Sequence, residues 1–221
     1  MILSLDTTSE FGSVALVSSN GIVEEILLHS PEGFGHILYG HIARLLERNE
    51  IALEQIDCFA ATSGPGSFTG VRVGLAAVKG LAEATAKPVV AVSNLQALAF
   101  HGREHLRAAV IDARRGQVYG GLYDAALNPV APEVVTPFPV WLATLPSGGI
   151  EFVSVDFTPF QAALSGTRFA SVPVVVAPRA LAGAVGLIAV QQLARGQASD
   201  PAAIDANYVR RTDAELFWKD R

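Results

Sequence analysis

The chain has 221 residues, half of them hydrophobic and 17% charged, which is enough apolar material for one large core or two small lobes and too little charge for a disordered scaffold. Its formal net charge of −5 argues against unaided RNA binding, which draws much of its affinity from neutralised phosphates; the basic pairs Arg114-Arg115 and Arg210-Arg211 are each flanked by acids. No apolar run approaches the roughly 20 residues that span a bilayer, the sequence starts on a strand-like segment with no basic leader, and its single Cys58 cannot form an internal disulfide, so a cytoplasmic globular protein is expected.

The first predicted elements are strands. Ile2-Leu3-Ser4-Leu5-Asp6 leads through the polar turn Asp6-Thr7-Thr8-Ser9 into the β-rich Ser13-Val14-Ala15-Leu16-Val17, and Asn20-Gly21 turns the chain into Ile22-Val23-Glu24-Glu25-Ile26. Residues 33–49 read as a helix with Ile37, Leu38, Ile42, Leu45 and Leu46 on one face. A short buried strand over residues 56–62 ends at Ser63-Gly64-Pro65-Gly66. A helix over 69–86 carries Val71, Leu75, Val78 and Leu81, and a strand over 89–92 precedes a helix over 95–100.

After residue 103 the pattern restarts. Ala108-Ala109-Val110-Ile111-Asp112, a polar turn, Gly116 and Gln117-Val118 repeat the order strand, Asp, turn, Gly, one residue, Val that opens the chain. This implies two α/β lobes, at 1–103 and 104–221, with mixed strands and crossover helices. The second lobe continues through strands over 150–155 and 172–176 and a helix over 179–194. Pro137, Pro139 and Pro146 mark an irregular stretch, and residues 204–219 read as a closing helix.

Three features carry chemistry, each with a plainer alternative. The turn Asp6-Thr7-Thr8-Ser9 has the donors to wrap a phosphate and a carboxylate to hold a metal, or it is a turn whose side chains satisfy its own backbone. In Gly64-Pro65-Gly66-Ser67-Phe68-Thr69-Gly70-Val71-Arg72-Val73-Gly74, the glycine spacing fits neither the P-loop nor the dinucleotide pattern. Gly70, Gly74 and Ala77 form a small-residue stripe that packs either on the chain's own sheet or on another subunit. His101 and His105 have helical chelate spacing, but Gly102 lies between them and the metalloprotease glutamate is missing, so no metal site is expected. No nucleophile elbow or carboxylate dyad stands out, and Cys58 reads as core packing.

Residues 2–17, the Gly64 to Gly74 block, Asp112-Ala113-Arg114-Arg115-Gly116-Gln117-Val118-Tyr119 and Asn207-Tyr208-Val209-Arg210-Arg211-Thr212-Asp213-Ala214-Glu215 together resemble the TsaB (YeaZ) family, in order and spacing over nearly the whole chain. The resemblance implies the actin/Hsp70/sugar-kinase (RNase H-like) fold with a reduced second lobe. It implies a partner subunit, without catalytic residues or a cofactor, in forming N6-threonylcarbamoyladenosine at position 37 of tRNA. Its partners would be the catalytic relative TsaD, a TsaE-like ATPase and a second copy of itself, with tRNA met only indirectly. In TsaD a His-x-x-x-His pair binds the metal; Asn94 and Leu98 stand at those positions here. Gly148-Gly149 precedes a strand rather than the helix that holds adenosine in kinase-like members. The expected partner face comprises Phe34, His36, Ile37, His41, Gly70, Arg72, Gly74, Ala77 and Arg114, with Arg210 a further candidate contact. Asp6, Thr7, Thr8 and Ser9 would be a phosphate-loop remnant. The rival reading is a small kinase-like phosphotransferase using Asp6, Thr7 and Thr8 around ATP and magnesium.

Overall fold

The computed structural model describes residues 1–209. Three antiparallel strands come first, β1 (Ile2–Asp6), β2 (Phe11–Ser18) and β3 (Gly21–His29). Helix α1 (Leu38–Arg48), β4 (Cys58–Gly64), α2 (Phe68–Thr85), β5 (Val89–Ser93) and α3 (Asn94–Ala99) complete the first half. The second half runs β6 (Leu106–Arg114), β7 (Gln117–Asp124), β8 (Val134–Pro137), α4 (Phe138–Thr144), β9 (Ile150–Ser154), α5 (Thr158–Leu164), β10 (Val174–Val176) and α6 (Ala182–Ala194).

The strands form two five-stranded sheets, ordered β3-β2-β1-β4-β5 and β8-β7-β6-β9-β10. In each, the first three strands pair antiparallel and the last two join parallel. The Asp-turn-Gly echo in the sequence therefore marks a duplication of topology, and the architecture is the two-lobed mixed α/β fold that the resemblance implied. The second lobe is the reduced one: α4 and α5 have 7 residues each, against 11 and 18 in α1 and α2.

The helices form where the apolar spacing places one buried face. In α1, Leu38, Ile42, Leu45 and Leu46 are buried; in α2, Val71, Leu75, Val78 and Ala82 are buried, and the Ser67 hydroxyl caps the first turn by accepting from the Gly70 amide at 3.3 Å. Both helices cover the sheet face that carries Leu3, Leu5, Val14, Leu16 and Phe59. Helix α1 starts at Leu38 rather than near residue 33, where Gly33 takes a φ of +91° and turns the chain. The proline-marked stretch 137–146 contains α4, because Pro139 sits in the helix's first turn, where its missing amide costs no hydrogen bond; Pro159 does the same for α5. Residues 204–209 are irregular rather than helical, and the rest of the expected closing helix, with Arg210, lies outside the described residues.

Helix α6, read from the sequence as part of the second lobe, lies on the first sheet. Its entry has no local side-chain cap. Instead the Ser13 hydroxyl of β2 accepts from the Leu181 and Ala182 amides at 3.0 and 2.8 Å, and the Glu25 carboxylate of β3 accepts from the Gly183 amide at 2.7 Å. The Ser4 hydroxyl donates to the Ala182 carbonyl at 2.7 Å. Burial raises the Glu25 carboxyl above its ordinary range, more than the Gly183 bond lowers it. Helices α3 and α6 fill the space between the sheets. One apolar cluster joins Ile2, Cys58 and Ala60 of the first sheet, Leu95, Leu98, Val185 and Ile188 of the helices, and Ala109, Tyr123 and Val153 of the second sheet. Cys58 is fully enclosed there, and burial, aided by the charge of Asp57, pushes its thiol up to about 11. Among the described residues no helix is long and apolar enough to cross a membrane.

Candidate functional site

The parallel strands β1, β4 and β5 end side by side, at the edge where open α/β sheets form their ligand crevices. The turn from β1 to β2 sits over that edge, with Asp6, Thr7 and Thr8 buried. Asp6 is 2% exposed. Its Oδ1 accepts from the Thr8 amide at 3.1 Å, the Thr8 hydroxyl at 2.7 Å, the Thr62 hydroxyl at 2.8 Å and the Asn94 amide nitrogen at 3.5 Å. Burial raises the Asp6 carboxyl above the usual carboxylate range, and the hydrogen bonds from Thr8, Thr62 and Asn94 pull the other way without offsetting it.

Asn94 locks the arrangement from the start of α3. Its Nδ2 also donates to the Thr8 hydroxyl at 2.5 Å, and its Oδ1 accepts from the Gly64 amide at 3.0 Å. Both ends of the side chain are spent inside the network. Leu98, one turn later on α3, is 1% exposed within the apolar cluster between the sheets. The two positions that the resemblance aligns with the metal-binding histidines thus hold one satisfied amide and one core aliphatic group. Helix α3 stops at Ala99, so His101 and His105 share no helix. His101 is half-buried, and burial lowers its imidazole below the ordinary value. Among the described residues no group of three His, Cys, Asp or Glu is gathered as a metal site.

Helix α2 closes the turn from above. The Thr7 hydroxyl donates to the Gly70 carbonyl at 2.7 Å, and the Ser67 amide donates to the Thr8 carbonyl at 2.7 Å. A Cβ at Gly74 would stand 2.6 Å from the Thr7 hydroxyl, and one at Gly70 would run into the Thr7 carbonyl oxygen. The small-residue stripe therefore receives the chain's own turn. Of the turn residues, Thr7 and Thr8 are buried with Asp6; Ser9 is exposed, its hydroxyl donating to the Phe11 carbonyl at 2.6 Å.

The expected partner-face residues divide accordingly. Gly70, Gly74, Ala77 and Phe34 are buried, the last packed against Gly12, and present no outer surface. Stripe spacing signals close approach but not by which neighbour. His36 and Arg72 are exposed, and Ile37 and His41 are half-buried. Arg114 is exposed in the second sheet's hairpin turn, at φ +64° and with its guanidinium 3.6 Å from Asp112. The sequence reading missed Thr62, although a hydroxyl inside the apolar strand β4 is the kind of signal that marks such a position. It also missed the surface group around Arg72. The guanidinium lies 3.6 Å over the Phe68 ring, and Nε donates to the Tyr208 hydroxyl at 3.1 Å. No local pattern links Tyr208 to α2.

Known proteins share both the sequence and the geometry. The family described as "TsaD: tRNA N6-adenosine threonylcarbamoyltransferase" matches residues 32–173. The chain belongs to this family. It is similar to the tRNA threonylcarbamoyladenosine biosynthesis protein TsaB of Bacillus subtilis, 33% identical over 149 residues and 65% of each chain. It is also similar to the protein of the same name from Haemophilus influenzae, 39% identical over 53% of this chain and 51% of the relative. The matches span between half and two thirds of these relatives' length. Among solved structures, YeaZ from Pseudomonas aeruginosa superposes with a TM-score of 0.80 at 27% identity, covering 94% of this chain and 98% of that one. The likeness to TsaB and YeaZ that four sequence blocks carried is thus present in both sequence and fold.

Proposed function

We propose that the chain is a non-catalytic partner subunit for threonylcarbamoyl transfer to tRNA, pairing with a TsaD-type transferase. One feature supports this reading beyond the family relationship: of the two positions that the resemblance aligns with the transferase's metal-binding histidines, Asn94 is consumed by Thr8 and Gly64 and Leu98 is buried in the core. An aliphatic side chain has no donor atom for a metal. The turn that would hold a nucleotide phosphate in a kinase-like relative spends its Thr7 and Thr8 hydroxyls on Gly70 and Asp6.

The partner face we infer is the outer side of α1 and α2, now assigned to its exposed groups: His36, Tyr39, Phe68 and Arg72, with Ile37 and His41 at its margin. Aromatic and arginine side chains of this kind dominate binding energy at interfaces. A TsaE-like ATPase joins the assembly, and tRNA is met through the transferase, consistent with the formal net charge of −5. Light scattering coupled to size exclusion, with the chain alone and mixed with its cognate transferase, tests the pairing, followed by a tRNA-modification assay. A new complex, with transfer only when both subunits are present, is the expected result. No complex, together with ATP turnover by this chain alone, overturns it in favour of the kinase-like enzyme.

A further inference from the structure

Glu133, just ahead of β8 in the second lobe, holds three parts of the molecule at once. Its Oε1 accepts from the Ser93 hydroxyl at the end of β5 and from the Tyr123 hydroxyl of β7, and its Oε2 accepts from the Asn207 side-chain amide at 2.6 Å. A carboxylate is the side chain suited to such a point, since it only accepts and has room for several donors. Tyr123 remains a donor because burial, then the charge of Glu133, pushes its phenol upward.

Asn207 belongs to the last described segment, which runs back over the first lobe. Ile204 is buried in the first-lobe core, and the Asn207 amide donates to the Ser63 carbonyl at 2.7 Å. Next in the chain, Tyr208 places its ring 5.7 Å from Phe68 and its hydroxyl on Arg72. Tyr208 and Phe68 are each 44% exposed, so this aromatic and arginine group lies at the surface beside the start of α2.

We propose that Glu133 is a positioning residue for partner binding: by holding Asn207 it fixes the strap that presents Tyr208, and through Tyr208 the orientation of Arg72 and Phe68, to the partner subunit. This rests on the partner reading given above. It places part of the control of the first-lobe face in the second lobe, 74 residues from the strap it holds.

The test uses the full chain in three single variants and one double. Glu133→Ala and Asn207→Ala each raise hydrogen exchange at the Asn207 amide and weaken binding to the TsaD-type transferase by about tenfold, the size expected for contacting groups; the double variant is no weaker than either single one. Tyr208→Ala, at an exposed ring, weakens binding without speeding exchange at Asn207. Unchanged exchange in Glu133→Ala overturns the strap. Additive losses in the double variant overturn action through Asn207, since a merely structural role of Glu133 gives that pattern. Full affinity in Tyr208→Ala overturns the face. If the unaltered chain does not bind the transferase, the partner reading falls and the presentation step falls with it, while the exchange rates still decide whether Glu133 holds the strap.

Discussion

The two hairpin turns occupy equivalent places in sheets of the same strand order, and they differ in what covers them. At the first, Asp6 is enclosed by Thr8, Thr62 and Asn94 and roofed by α2. At the second, Asp112 accepts from the Arg114 amide of its own turn at 2.7 Å, and Arg114 and Arg115 take positive φ in a turn two residues shorter. The first turn meets the opening of α2 at Ser67, Gly70 and Gly74, and the helices after the parallel strand also differ in length, 18 residues in α2 after β4 and 7 in α5 after β9. A duplicated scaffold thus keeps its strands and diverges in the helix that seals the turn. The sealed turn gives up an open pocket, and in return it fixes the end of α2 from which the proposed partner face projects.

The largest expected effect separates the turns by a methyl group. Gly70→Ala drives a Cβ into the Thr7 carbonyl and should cost about 3 kcal/mol or more. Gly116→Ala at the second turn meets open space and carries only the cost of φ +72°, about 1 kcal/mol. Urea melts of the two variants measure the difference, and equal losses would mean that α2 does not hold the first turn. Next, Asn94→Ala leaves the Gly64 amide without its partner and should cost about 2 kcal/mol. Asp112→Ala, at a half-buried position whose carboxylate accepts one amide of its own turn, should cost less, about 1 kcal/mol.

A smaller effect is read in pH. The raised Asp6 carboxyl favours the protonated form in the folded state, so its contribution to stability is greatest below 3.8 and is lost as pH rises through the raised value. Asp6→Asn should therefore flatten the fall in stability as pH rises above 3.8, and an unchanged slope would contradict the burial. The smallest effect is kinetic. Cys58, at about 11, should resist thiol reagents at pH 8 in the native chain and react on denaturation. Because α6 packs in the same cluster, the native labelling rate reports how often the helix leaves the sheet.

How much of this the residues announce depends on distance along the chain. The strands other than β8, with α1, α2 and the internal repeat, are legible because apolar spacing and turn residues act within a dozen positions. The residue types at Asn94 and Leu98 are read directly, and the structure shows an amide spent on Thr8 and Gly64 and an aliphatic side chain in the core. The closure around Asp6 is only half legible, since Asp6-Thr7-Thr8 reads equally as an anion loop or a self-satisfied turn, and Thr62, which completes the closure, lies 56 residues away. The stripe at Gly70 and Gly74 fits any close neighbour. The place of α6 was not legible at all: the groups that cap it, Ser13 and Glu25, are 169 and 158 residues from the amides they receive. Glu133 and Asn207 are hidden in the same way.

The position of α6 also sets an order of events during synthesis. The first sheet is translated within the first 93 residues, yet the face bearing Ile2, Cys58 and Ala60 gains its α6 covering only when residues 182–194 arrive. Until then a nascent chain presents uncovered apolar surface at the ribosome, the condition under which chaperones are recruited and aggregation begins. A fragment ending at residue 103 is born as an unfinished lobe, and the molecule becomes native only when its late helix closes its earliest strands.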